Sequence, residues 1–119
     1  MDDEAVVRKL LDKLLQRFGY EVDIAANGEE ALDRFEKLRT NKETYTAVIT
    51  DLTVSGAMGG LQLTKELLKR EPSLKIIISS GYSEDEVISK HKKFGFFAAL
   101  RKPFSIDELT AVLNSLSRD

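Results

Sequence analysis

The chain has 119 residues, 18 basic and 20 acidic side chains, a formal charge of −2 and a hydrophobic fraction of 42%. This suits one compact domain over residues 1–119 with a real core, and it argues against a polyanion binder, so no nucleic acid is expected as a direct partner. With no cysteine, disulfides, thiolate metal sites and cysteine nucleophiles are excluded. No apolar run approaches the roughly 20 residues of a membrane helix. Met1 is followed at once by Asp2, Asp3 and Glu4 rather than by a leader. A cytoplasmic setting without membrane contact is expected.

Val6, Val7, Leu10, Leu11, Leu14, Leu15 and Phe18 recur at helical spacing over residues 4–18, and Gly19 is a natural stop. Tyr20, Val22 and Ile24 alternate with Glu21 and Asp23, the pattern of a short strand over 20–25. After Asn27-Gly28, the residues Ala31, Leu32, Phe35 and Leu38 predict a second helix, and 39–44 a polar loop. Residues 45–50 read as a buried strand with Asp51 at its carboxyl end. A Gly-rich loop at 55–60 leads to a third helix through Leu61, Leu63, Leu67 and Leu68, which must finish near Pro72.

Leu74–Ser79 carries three consecutive isoleucines, as a strand covered on both faces requires. Ser83-Glu84-Asp85-Glu86 is a capping box opening a fourth helix, and 96–101 a fourth strand. Ser105-Ile106-Asp107-Glu108 is a second capping box before Leu109, Val112, Leu113 and Leu116. Strands alternating with helices imply an α/β fold, a doubly wound parallel sheet with helices on both faces. Four strands and five helices are visible, and the chain opens on a helix where such folds normally open on a strand.

In open parallel sheets, ligands bind outside the carboxyl ends of the strands. Asp2 and Asp3 precede the first helix. Asp51, the pair Ser79 and Ser80, and Lys102 follow successive strands. Clustered carboxylates are relieved by a hard divalent cation, and Mg²⁺ binds through one or two of them while keeping sites for water and phosphate oxygens. A carboxylate can attack phosphorus, and a cation, a lysine and a hydroxyl can stabilise the charge on the transferring group.

Asp2-Asp3-Glu4, Val48-Ile49-Thr50-Asp51-Leu52, Ser80-Gly81 and Lys102-Pro103-Phe104, in this order, resemble the receiver domain of response regulators in two-component signalling. The resemblance implies a flavodoxin-like sheet of strand order 2-1-3-4-5 that lacks its first strand here. It implies Asp51 as phosphoacceptor, Mg²⁺ or Mn²⁺ held by Asp2, Asp3, Asp51 and the Thr53 carbonyl, Ser80 bonded to the phosphoryl group, and Lys102 paired with it. It also implies a cis Lys102–Pro103 bond. The partner would be a histidine kinase or a histidine phosphotransfer domain, and the chain a phosphoacceptor rather than an enzyme. The 39–44 loop, the 56–60 loop and Ser80-Gly81-Tyr82-Ser83 look like receivers of hybrid sensor histidine kinases. No DNA-binding output domain is expected, since the chain ends after its last helix.

Three positions depart from the family pattern. Ala99 stands where signalling receivers often carry Tyr or Phe, so the usual aromatic rotamer switch is in question; Phe96, Phe97 and Tyr82 are the nearby aromatics. Ser55 replaces a common proline. The strand expected before Asp2 is missing but for Met1, and its slot would lie between 20–25 and 45–50. Three compensations are open: a natural protein that begins earlier, direct pairing of those two segments, or association of two chains; a four-stranded sheet within a homo-oligomer is the one expected.

Other classes fit less well. A haloacid-dehalogenase-like phosphatase wants a second Asp where Thr53 stands, and no Gly-x-Gly-x-x-Gly or Walker loop serves a nucleotide. The alternative is an unphosphorylated receiver-like interaction module. Lone His91, beside Lys90, Lys92 and Lys93, reads as surface.

Overall fold

A computed structural model describes residues 1–52, 59–80, 93, 95–102 and 104–116. The elements are α1 (Ala5–Arg17), α2 (Gly28–Thr40), β1 (Ala47–Asp51), α3 (Gly60–Arg70), β2 (Lys75–Ser80), β3 (Ala98–Arg101) and α4 (Ile106–Leu116). The strands form one parallel sheet in the order β1-β2-β3, with Thr50 opposite Ile78, Asp51 opposite Ser79 and Ser80 opposite Arg101. The helix expected after Ser83 lies outside the described residues.

The isoleucines of β2 show why the sheet is doubly wound. Successive strand side chains point to opposite faces. Ile76 and Ile78 pack with Phe35 of α2, Leu63 and Leu67 of α3, Leu52 and Phe96. Ile77 packs with Leu100 and with Leu109, Leu113 and Leu116 of α4, flanked by Leu11, Leu14 and Leu15 of α1. All three isoleucines are fully buried. Thus α2 and α3 cover one face, and α1 and α4 the other.

Helix ends follow local chemistry. The Asn27 side chain accepts from the Glu30 N–H at 2.8 Å and caps α2. Ser105 and Glu108 form the expected reciprocal box: the Glu108 N–H donates to Ser105 Oγ at 3.1 Å and the Ser105 N–H to Glu108 Oε1 at 3.3 Å. Gly19, at φ +89°, ends α1 in the left-handed region that favours glycine. Lys75 Nζ donates to the Leu116 carbonyl at 3.1 Å at the end of α4.

Two expectations are corrected. Residues 20–25 form no strand and pair with no neighbour along a ladder, so the described sheet has three strands and the direct pairing with 45–50 does not occur. A strand exists only with a neighbour to bond, and the space between this segment and β1 is a cleft of about 510 Å³. The segment is held instead by the Tyr45 hydroxyl, which donates to Asp23 Oδ2 at 2.6 Å, and by the Asp2 N–H, which donates to the Ala25 carbonyl. The apolar stripe of α1 is also divided, with Leu11, Leu14 and Leu15 partly buried while Val6 is 80% exposed and Leu10 55%.

Candidate functional site

The carboxyl edge of the sheet gathers the charged groups. Asp51 is the last residue of β1, Ser80 the last of β2, and Lys102 follows β3 directly. Asp2 reaches the same edge from the chain start. The Lys102 ammonium donates to Asp2 Oδ2 at 2.8 Å and to Asp51 Oδ2 at 3.2 Å. Both aspartates are only 2% exposed. One ammonium therefore joins two buried carboxylates and offsets part of the cost of burying them. Burial pulls the Lys102 pKa down, but the hydrogen bond to Asp2 and the charges of Asp51 and Asp2 outweigh it and hold it above its ordinary value.

Backbone bonds fix each participant. The Asp51 N–H donates to the Met1 carbonyl at 2.9 Å, the Asp2 N–H to the Ala25 carbonyl at 3.1 Å, and the Lys102 N–H to the Ser80 carbonyl at 2.8 Å. The Met1 ammonium donates to the Ile49 carbonyl. Met1 and Asp2 thus form a short bridge between β1 and the 25 segment. Burial pushes the Met1 ammonium pKa down to about 6. Asp2 is held further by the Glu4 N–H on its Oδ1 at 3.0 Å and by Arg8 Nη1 on its carbonyl at 2.9 Å.

Of the residues singled out in the sequence, Asp2, Asp51 and Lys102 are in direct contact. Asp3 is exposed, and its carboxylate lies in a group with those of Asp2 and Glu4, with ligand oxygens all within 4.8 Å of one another. Ser80 is buried at the β2 end, as is Ser79, which stands opposite Asp51 and whose carbonyl accepts from the Leu52 N–H at 3.0 Å. Thr53, Pro103, Gly81, Tyr82 and Ser83 lie outside the described residues. Ala99 is half-buried in β3, packed against the Phe35 cluster.

Several supporting roles escape the sequence reading. The Met1 and Ala25 carbonyls act through backbone, which residue type does not advertise. Gly60 starts α3 beneath Asp51: a Cβ there would lie 2.3 Å from the Asp51 carbonyl oxygen and 2.9 Å from Leu52 Cα. The donors at this edge suit a hard cation, since Asp2, Asp3 and Asp51 offer only carboxylate oxygens.

Comparison with known proteins identifies the family. The model of the response regulator receiver domain matches residues 1–114. Sporulation initiation phosphotransferase F of Bacillus subtilis is 32% identical over 109 residues, covering 92% of this chain and 83% of that protein. Sensor kinase CckA of Brucella abortus is 37% identical over 119 residues, covering 98% of this chain and 12% of that protein. Among solved structures, the receiver domain of NtrX from Brucella abortus superposes with a TM-score of 0.84 at 28% identity, over 97% of this chain and 92% of that one. The response regulator TrrA of Thermotoga maritima, in complex with Mg²⁺-BeF, gives 0.79 at 35% identity, over 97% and 93%. The chain belongs to the response regulator receiver domain family.

Proposed function

We propose that Asp51 accepts a phosphoryl group from a phosphohistidine of a histidine kinase or a histidine phosphotransfer domain. The carrying observation is the single Lys102 ammonium shared by the buried carboxylates of Asp51 and Asp2 at the carboxyl edge of the sheet. An Asp51 carboxylate oxygen attacks phosphorus, the bond from phosphorus to the imidazole nitrogen breaks, and the imidazole leaves and takes its proton from water. Lys102 then donates to the new phosphoryl oxygens, and Ser80 to another. Asp2, Asp3, Asp51 and the Thr53 carbonyl would hold Mg²⁺ or Mn²⁺, which would supply positive charge to those oxygens. The names of the relatives, a phosphotransferase and a sensor kinase, support this reading.

The test is intact-mass spectrometry after incubation with acetyl phosphate and Mg²⁺. Wild type should gain one phosphoryl mass, and Asp51→Asn none. Equal labelling of both proteins removes the assignment. No labelling of either supports the interaction-module reading.

A further inference from the structure

Of the two serines that end β2, only Ser80 has a part in the proposed reaction. Ser79 lies opposite Asp51 in β1 and opposite Leu100 in β3. Side chains alternate along a strand, and Ala47, Ile49, Ile77, Ala98 and Leu100 all pack on the side of α1 and α4. Asp51, Ser79 and Lys102 continue those rows on the same face, while Ser80 follows Ile76 and Ile78 to the other. Neighbouring strands stand roughly 4.8 Å apart, so a serine hydroxyl comes within reach of the carboxylate beside it. To reach Asp51 from the end of β3, Lys102 crosses the end of β2, where Ser79 stands. Ser79 is 3% exposed. Its hydroxyl bonds to no described residue, and since every sealed polar side-chain atom among those residues has a partner, that oxygen keeps a little open surface. A hydroxyl so deep and unbonded is a donor in reserve.

We infer that Ser79 is a second hydroxyl of the site, donating to the Asp51 carboxylate while Lys102 is engaged with the phosphoryl group. The inference rests on Asp51 being the phosphoacceptor. In the resting site Lys102 bonds to Asp51 Oδ2. With a phosphoryl group in place, that ammonium donates to phosphoryl oxygens instead. In hydrolysis, a water oxygen bonds to phosphorus and the bond from phosphorus to the Asp51 oxygen breaks. The electron pair of that bond stays on the carboxylate, a water proton passes to solvent, and phosphate departs. Charge thus returns to a buried carboxylate before the ammonium does, and a neighbouring O–H stabilises it as it develops. Ser79 keeps its own proton throughout. The same donor serves uptake, in which Lys102 turns from Asp51 to the incoming group.

The test compares Ser79→Thr with Ser79→Val, two side chains of one shape of which only the first carries a hydroxyl. Intact-mass spectrometry follows phosphoryl uptake from acetyl phosphate with Mg²⁺, then phosphoryl loss once the donor is removed by gel filtration. Ser79→Thr should stay within about twofold of wild type in both rates, and Ser79→Val should be slowed about tenfold in both, as loss of one hydrogen bond to a charged group implies. Ser79→Val should unfold in urea no earlier than Ser79→Thr, since it buries no hydroxyl. Ser79→Ala, too small to clash, should repeat the slowing. Equal rates in Ser79→Thr and Ser79→Val, or in Ser79→Ala and wild type, overturn the inference and leave Asp51 as the acceptor. A wild type that takes up no phosphoryl group overturns both.

Discussion

Helix α3 starts so close beneath β1 that a methyl group on Gly60 would sit 2.3 Å from the Asp51 carbonyl oxygen. The neighbour is backbone and cannot swing aside. In an ordinary helix, Gly→Ala stabilises by roughly 0.5–1 kcal/mol. Here the opposite sign is predicted: Gly60→Ala should destabilise by about 1–3 kcal/mol in urea unfolding. It should also slow phosphoryl uptake, because the displaced backbone carries the Asp51 carboxylate. A variant as stable as wild type would show that the α3–β1 approach relaxes freely.

Lys102→Met keeps the length of the side chain and removes its charge. Asp2 and Asp51 then lose the ammonium that bonds to both. Stability in urea near neutral pH should fall by on the order of 3 kcal/mol. Lys102→Arg, which keeps the charge, should lose clearly less than Lys102→Met. An equal loss in both variants would mean that packing of the stem, not charge, is what Lys102 contributes.

Tyr45 gives a pH signature at the alkaline end. Its burial, then its hydrogen bond to Asp23 and the charge of Asp23, push its pKa above the usual tyrosine range. A phenol with a raised folded-state pKa contributes stability that is fully present below the unfolded value of about 10 and is lost as pH rises beyond it. Wild-type stability should therefore fall more steeply between pH 10 and 12 than that of Tyr45→Phe, followed by circular dichroism during urea titration. Parallel curves would dissociate Tyr45 from the alkaline loss.

Apolar residues of like character should differ sharply in weight. Leu109 of α4 is fully buried, and Leu109→Ala should cost about 2–5 kcal/mol. Val6 of α1 is 80% exposed, and Val6→Ser should stay within about 0.5 kcal/mol of wild type.

That contrast marks where the sequence is legible. Ser105 and Glu108 announce the start of α4 because capping is a local interaction across three residues. The isoleucines of β2 announce a two-faced sheet because period 2 sends them to opposite layers. Asp2, Asp51 and Lys102 are recoverable because each flanks an element whose periodicity is clear. The segment 20–25 is not, since alternation of Tyr20, Val22 and Ile24 reports which faces could be buried but not whether a neighbouring backbone is there to pair with. The exposure of Val6 and Leu10 is hidden for a related reason, because a helical stripe gives a direction and not the extent of the surface it meets. Gly60 and the Met1 carbonyl act through space-filling and backbone, and the sequence carries no mark of either.

Asp2 and Lys102 stand 100 positions apart in the chain, yet they share one hydrogen bond. Closing so long a loop comes after local structure has formed, at an entropic cost that nearer contacts do not bear. During synthesis, Asp51 leaves the ribosome long before its counter-charge exists. A chain halted short of residue 102 lacks both the ammonium that joins Asp2 to Asp51 and the helix α4 against which α1 packs. Copies truncated there should therefore be poor recipients of phosphoryl groups.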